Sequence, residues 1–432
     1  MFNKQTLDVI SSHSKGHIEE SSFLNILKNE HVCTHFQPVL SSKRRHIVGF
    51  EALTRVHGTT APPMAPSDLF TAAIKFNCIT EIDRLCRSKA LKTFRAIRNT
   101  LPPKLEPLLF LNINPCILDQ RASVPGALLK QAQIEDIEPK NIVIEIVESS
   151  VYNLDALKRF IEFYRKHGFM IALDDVGAGH SNFDRFAIIR PDIIKIDRSI
   201  ICDINKDFYK QEIFKALVQL SRKIGTLVLA EGVETKEEAL CTMNYDADML
   251  QGYYFARPAP DWEQITKQLG NKPRKVGEKL RDYKIHRINC IKDKYKLFKQ
   301  SIDEIINQLS KMAPNKFTCF LKKHIKNLPF IEAIYVLNDN GVMETDAILQ
   351  NNVPVRNSRL FQLSRRGDDL SLKEYFYLPY FSGIKHFTTD SYTSMATGNL
   401  IRTISCTFSS LSGKLYILCV DMPEEVTTCP LI

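Results

Sequence analysis

From about residue 30 to 260, short apolar runs alternate with longer stretches of helical periodicity. The runs are THFQPVL (34–40), HIVGFEAL (46–53), LLFLNIN (108–114), NIVIEIVE (141–148), MIALDDV (170–176), DIIKID (192–197), TLVLAEGV (226–233) and MLQGYYF (249–255). Most are β-branched and nearly continuously apolar, the pattern of strands covered on both faces. Between them, LDALKRFIEFYRKHG places apolar residues at 154, 157, 160, 161 and 164 and ends at Gly168, which predicts a helix with a glycine C-cap. Strands joined through helices predict parallel crossovers. Eight such runs predict an α/β fold, a TIM-type (β/α)8 barrel. A doubly wound open sheet is the alternative.

After Pro258 the pattern changes. Ile285, Ile288, Tyr295, Phe298, Ile302, Ile305 and Leu309 recur every three to four residues or a multiple, which predicts a long amphipathic helix. Part of it has the spacing to pair with a second copy in a coiled coil. FIEAIYVLNDNGVMETDAI then reads as a strand, an Asn-Asp-Asn-Gly turn and a second strand, and LIRTISCTFSSLSGKLYILCVDM repeats the plan. The expected organisation is a barrel over 20–262, a basic amphipathic linker helix over 263–311 and a smaller α/β domain over 312–432.

Composition narrows the setting. With 432 residues, 44% hydrophobic and 25% charged, the chain can bury more than one core. No apolar run reaches the roughly 18–20 residues needed to span a bilayer. The N-terminal MFNKQTLDVISSHSKGHIEE lacks the apolar stretch of a signal peptide, so the expected location is the cytoplasm. Eleven cysteines form no C-x-x-C pair, which predicts reduced, mostly buried thiols and no structural zinc. The net charge of +9 is uneven: residues 271–300 hold eleven Lys/Arg against three Asp/Glu, so that window alone carries +8. The remainder is near neutral, which argues against a general nucleic-acid binder. Within the basic window, a solvated linker helix and a contact for nucleic acid or acidic lipid both remain open.

Candidate chemistry sits where the strands end. Glu51 ends the second run, Asn112 and Asn114 the third, Glu145 and Glu148 the fourth, and Asp174 and Asp175 the fifth. Lys195 and Asp197 end the sixth, Glu231 and Glu234 the seventh, and Gln251 lies in the eighth. Barrel enzymes assemble their sites at that face. Clustered carboxylates near a core need cations, and oxygen donors suit hard divalent ions such as Mg2+ or Mn2+. A lysine among them can neutralise a developing oxyanion. ALDDVGAGHSNF (172–183) raises two other readings, and both fail. A phosphate-binding G-x-G-x-x-G would need glycine at 182, which is Asn182, and a G-x-S-x-G nucleophile would need glycine at 183, which is Phe183.

These motifs resemble the EAL domain of cyclic-di-GMP phosphodiesterases. The resemblance rests on FQPV, EAL (51–53) with Arg55 after it, LNINP (111–115), IEIVES (144–149), LDDVGAG (173–179), IKID (194–197), LAEGVET (229–235) and QGYYFARP (251–258), in that order. It implies a TIM-type barrel that hydrolyses cyclic di-GMP to linear pGpG with two divalent ions, Mg2+ or Mn2+. Carried over by motif, Glu51, Asn112, Glu145 and Asp174 hold one ion, and Asp174 with Asp175 the second. Lys195 contacts the attacking water and Glu231 is the base or metal-water partner. Gln37, Leu53, Arg55, Asp197, Gln251 and Pro258 line the substrate, with Arg55 at a phosphate. Glu148, Gly177 and Gly179 support the loop.

The family loop commonly reads DDFGTGYSSL. Here Val176, Ala178 and His180 replace its Phe, Thr and Tyr. The family uses this loop to link metal binding to dimer contacts, so the substitutions bear on rate and regulation. A catalytically weak domain acting as a cyclic-di-GMP receptor or protein-interaction module is the alternative. No GGDEF motif is present. The C-terminal stretch resembles PAS/Cache-like sensory domains, which implies either an unidentified small-molecule ligand or a dimerisation module. A homodimer is the expected assembly.

Overall fold

In the computed structural model, residues 19–57, 64–102, 105–113, 126–147, 153–178, 184–328, 330–351, 353–356 and 358–423 are described. The chain divides into two compact units, Met1–Arg281 and Asp282–Ile432.

The first unit is built on a closed barrel of β1 (Val32–Ser41), β2 (Ile47–Val56), β3 (Leu108–Asn112), β4 (Ile142–Val147), β5 (Met170–Val176), β6 (Ile193–Ile196), β7 (Leu227–Ala230) and β8 (Met249–Leu250). Closure excludes the open sheet. Parallel pairing holds from β2 through β8. It fails at β1, which runs antiparallel to both β2 and β8. The connection over 42–46 is too short for a crossover helix, so the chain turns back as a hairpin.

Two strand ends differ from the sequence expectation. The β1–β2 ladder continues to Val32↔Val56, so Glu51 lies in mid-strand. The expected strand 249–255 shrinks to Met249–Leu250, because the chain turns after Gln251. Gly252 permits that turn, since a Cβ there would lie 2.1 Å from the Val233 carbonyl oxygen.

The helices pack outside. The expected helix after β4 is Leu154–Lys166; Asn153 caps it by accepting the Ala156 N–H at 2.9 Å, and Leu157, Phe160, Ile161 and Tyr164 are its buried face. Outward-facing Phe36 of β1 meets Phe94 of the helix Ile79–Arg98, with ring centroids 6.2 Å apart. Inside the barrel, Val39, Phe110, Val143, Ala172, Ile193, Leu229 and Met249 form one apolar layer. Each comes from a different strand. On β2 the corresponding residue is Gly49, where a Cβ would come within 2.7 Å of the Phe110 ring. This layer is the floor of the site.

The second unit is an antiparallel sheet of order β10-β9-β14-β13-β11, with β12 paired to β13. Its strands are β9 (Ala333–Asn338), β10 (Ile348–Leu349), β11 (His386–Thr388), β12 (Tyr392–Thr393), β13 (Leu400–Ser409) and β14 (Leu415–Pro423). The second predicted hairpin is β13–β14, in register from Ile401↔Pro423 to Ser409↔Leu415. The first has its turn at Asn338–Val342, but its return strand pairs regularly only at β10. One sheet face packs Val336, Leu418 and Val420 against Phe298, Ile302, Ile305 and Leu309 of the helix Lys272–Leu309. Ile285 and Ile288, earlier in the same stripe, are 52% and 63% exposed. The opposite sheet face carries Tyr335, Leu337, Ile417 and Cys419, which cluster with Tyr375 and Phe376 of the helix Glu374–Ser382.

The nine described cysteines are free, but only Cys86, Cys241, Cys406 and Cys419 are buried. The expectation of mostly buried thiols is therefore corrected: Cys33, Cys78, Cys202 and Cys290 are half-buried and Cys319 is exposed. Among the described residues, no helix is long and apolar enough to cross a membrane.

Candidate functional site

Side chains alternate along a strand, so the residue two places beyond each floor residue faces the barrel interior one step nearer the mouth. From Gly49, Phe110, Val143, Ala172, Ile193, Leu229 and Met249 that step reaches Glu51, Asn112, Glu145, Asp174, Lys195, Glu231 and Gln251. On antiparallel β1 it runs backwards, from Val39 to Gln37. Eight strand positions thus place eight polar residues in one layer above an apolar floor. One step further along the hairpin lie His35 and Leu53, which are register partners.

Lys195 is the centre of the layer and is 1% exposed. Its Nζ lies 2.5 Å from Glu145 Oε1, 2.7 Å from Glu231 Oε1, 3.0 Å from Asp174 Oδ1 and 3.7 Å from Glu51 Oε1. Burial alone would favour the neutral amine, but Asp174, Glu145, Glu231 and Glu51 together raise Lys195 well above the usual range. Burial raises Glu145 and Glu231 well above the usual carboxylate range, against the opposing pull of Lys195. A hydrogen-bond chain orients Glu51. Asn112 Nδ2 donates to its Oε1 at 3.0 Å and Gln251 Nε2 to its Oε2 at 2.6 Å. Gln251 Nε2 also donates to Gln37 Oε1 at 3.1 Å, and Gln37 Nε2 donates to the Ala256 carbonyl at 3.1 Å.

β5 departs from regular geometry where its chemistry lies. A regular strand would send Asp174 and Asp175 to opposite faces. The β5–β6 register shifts between Leu173 and Val176, and Asp175 sits at φ 56. Aspartate tolerates this left-handed conformation better than most residues, and the irregularity turns its carboxylate towards its neighbour. Asp174, Asp175 and Glu231 each offer an oxygen, and these oxygens lie within 4.8 Å of one another. Burial, and next the Asp174 charge, push Asp175 up to about 6. Gly177 follows at φ 102, where a Cβ would lie 2.3 Å from Ile200 Cδ1, so the turn away from the aspartates needs glycine.

The other expected residues are placed as follows. Leu53 and Arg55 continue the inner face of β2 beyond Glu51, and Arg55 Nη1 donates to the Thr54 carbonyl at 2.8 Å. Asp197 caps the short helix Arg198–Ile201 by accepting the Ser199 N–H at 2.8 Å, outside the ring around Lys195. Pro258 lies in a segment that pairs with β1: Phe36 N–H donates to the Ala259 carbonyl at 2.7 Å, and Ala259 N–H returns to Phe36 at 3.0 Å. Glu148, Gly179 and His180 lie outside the described residues. Sequence reasoning passed over His35. Its only signal was its place two residues before Gln37 on one strand face.

The residues fit hard divalent cations. Both Glu145 oxygens are buried without a hydrogen-bond partner, the Lys195 contact being an ion pair outside hydrogen-bond geometry. Four carboxylates, from Glu51, Glu145, Asp174 and Glu231, share one lysine at the centre, and Asp175 offers a fifth beside Asp174 and Glu231. All donors are oxygens, the set that Mg2+ or Mn2+ prefers.

Comparison with known proteins agrees with this geometry. The chain is 24% identical over 418 residues to the uncharacterized EAL-domain containing protein YkuI of Bacillus subtilis (strain 168), spanning 93% of this chain and 96% of that one. It is 26% identical over 267 residues to the probable cyclic di-GMP phosphodiesterase PdeG of Escherichia coli (strain K12), 60% of this chain and 51% of the relative. The crystal structure of YkuI, in complex with substrate c-di-GMP and calcium, shares the fold with a TM-score of 0.76 at 23% identity, over 94% of this chain and 99% of that one. Residues 20–258, more than half of the chain, match the EAL domain. With its closed barrel and strand-end carboxylates in motif order, this chain belongs to the EAL domain family.

Proposed function

We propose that the chain is a metal-dependent phosphodiesterase that opens cyclic di-GMP to linear pGpG. The observation that carries the reading is the single layer of oxygen donors around Lys195, with the Glu145 carboxylate buried and short of partners. Glu51, Asn112, Glu145 and Asp174 would hold one divalent ion, and Asp174 with Asp175 a second; Mg2+ or Mn2+ is the assignment. Bound there, such ions supply Lewis-acid polarisation of the phosphate and neutralise charge on the leaving oxygen. Asn112 and Gln251 fix both oxygens of Glu51. Lys195 supplies a fixed positive charge beside the attacking water. Glu231, 2.7 Å from Lys195 Nζ, takes the water proton as the new P–O bond forms, and the 3′ oxygen leaves with the bond's electron pair and takes a proton from solvent. Arg55, farther out on the same face of β2, binds a phosphate, with Leu53 and Pro258 against the nucleotide.

In this reading the C-terminal sheet is a PAS/Cache-like regulatory or dimerisation domain. The test is incubation of the purified chain with cyclic di-GMP and Mg2+ or Mn2+, followed by chromatography for pGpG. We expect pGpG from the wild type. Glu51→Ala should lower turnover by at least about 100-fold with an unchanged circular dichroism spectrum. Binding without product at confirmed metal occupancy would instead make the chain a receptor, and unchanged activity in Glu51→Ala would refute the site assignment.

A further inference from the structure

His35 presents a polar ring in the barrel mouth that none of the steps above uses. Gln37, two residues on and facing the same way, is engaged at both ends of its amide by Gln251 and the Ala256 carbonyl. It is 7% exposed and braces Glu51 through Gln251. His35 is the next residue outward on that face and is half-buried. It stands opposite Leu53, with Arg55 one step further along β2. The pairing of Phe36 with Ala259 brings the Pro258 carbonyl alongside the His35 ring, which it draws slightly towards the protonated form. Burial, and next the Arg55 charge, hold His35 below its ordinary range, so the ring is neutral at pH 7. A neutral imidazole that donates through one nitrogen accepts through the other.

We infer that His35 is a specificity-determining residue that accepts an N–H from a guanine base of the substrate. This rests on the cyclic di-GMP reading above and extends it to the base. Guanine displays N1–H and an N2 amino group on one edge. Adenine carries its amino group at N6 and a lone pair at N1, so in the pose that pairs guanine N1–H with the imidazole it would set lone pair against lone pair. A site built to pair with an N–H discriminates against an analogue that lacks it, because a polar group is left unpaired. His35 stands one step above the carboxylate layer, so its effect falls on binding and selectivity.

The test uses the full chain with Mg2+, with cyclic di-GMP and cyclic di-AMP as probes. His35→Phe keeps a flat ring without an acceptor, His35→Leu removes the ring, and His35→Gln restores an oxygen acceptor. Phe and Leu should raise KM for cyclic di-GMP about tenfold with kcat within about twofold. They should lower the guanine-to-adenine ratio of kcat/KM by about tenfold, and Gln should recover most of it. If the wild type binds without turnover, the same ratios are read from calorimetric Kd values. An unchanged ratio in a folded Phe or Leu variant overturns the role of His35 alone. A wild type that neither binds nor cleaves cyclic di-GMP overturns the parent reading and this one together.

Discussion

Lys195 places one positive charge between Glu51, Glu145, Asp174 and Glu231 at a position that is 1% exposed. Removing one partner of a buried ion cluster leaves the others uncompensated, typically at about 3–5 kcal/mol. Lys195→Met should therefore destabilise the metal-free protein by roughly that amount. Turnover should fall by at least about 100-fold. Divalent ions neutralise the same carboxylates, so Mn2+ should raise the variant's Tm more than the wild type's. Thermal melts with chelator and with Mn2+ check this; equal Tm values without metal would remove Lys195 from its structural role. The site was legible at this scale because each acid, and the lysine, interrupts or closes an otherwise apolar run. Asp175 was legible as a residue but not as a geometry. Its approach to Asp174 depends on a strand irregularity that leaves no mark in the hydrophobic pattern. His35 was invisible for the opposite reason: a histidine within a regular strand reads as an ordinary alternating position.

At the scale of elements, the sequence located each barrel strand but misjudged the direction of the first. A helix between strands implies a parallel crossover, and that logic works from β2 onward. β1 escapes it because the connection over 42–46 can only form a turn. The hairpin then extends beyond the barrel rim and carries His35, Leu53 and Arg55 above the carboxylates. The long C-terminal helix was legible as an apolar stripe, but the stripe does not say which residues meet their own chain. Phe298, Ile302, Ile305 and Leu309 meet the sheet of the second unit, while Ile285 and Ile288 stay exposed. In the homodimer expected from the coiled-coil spacing, those two isoleucines would meet a second copy. Ile285→Glu with Ile288→Glu should convert a dimer to a monomer in light scattering, with the circular dichroism spectrum retained. A wild-type monomer at the same concentration, or an unchanged dimer in the double variant, would remove this helix from the assembly.

At the scale of the molecule, two units each carry their own core, and a titratable device sits in the second. Asp421, on β14, accepts a hydrogen bond from Thr403 Oγ1 at 2.6 Å and is 8% exposed. Around it stand the Tyr335 hydroxyl, Glu332, Cys419, Tyr375 and Tyr392. Glu332 is itself satisfied by Thr397 Oγ1 at 2.5 Å and Asn399 Nδ2 at 2.9 Å. Burial first, and then the Glu332 charge, push Asp421 up from 3.8 to about 7, against the hydrogen bonds from Thr403 and Tyr335. The folded unit therefore holds this proton more tightly than the unfolded chain. The contribution is fully present below about pH 4 and is lost as pH rises through about 7. The difference corresponds to roughly 4 kcal/mol across that window. Asp421→Asn fixes the neutral form and keeps an oxygen that can accept from Thr403. Melting of the C-terminal unit should then be flatter between about pH 4 and 7 than in the wild type, and its midpoint at pH 8 higher. The barrel melts with Asp175 and its own buried acids, so the variant minus wild-type difference isolates Asp421. A difference that stays constant across that window would show that Asp421 is already ionised in the folded unit.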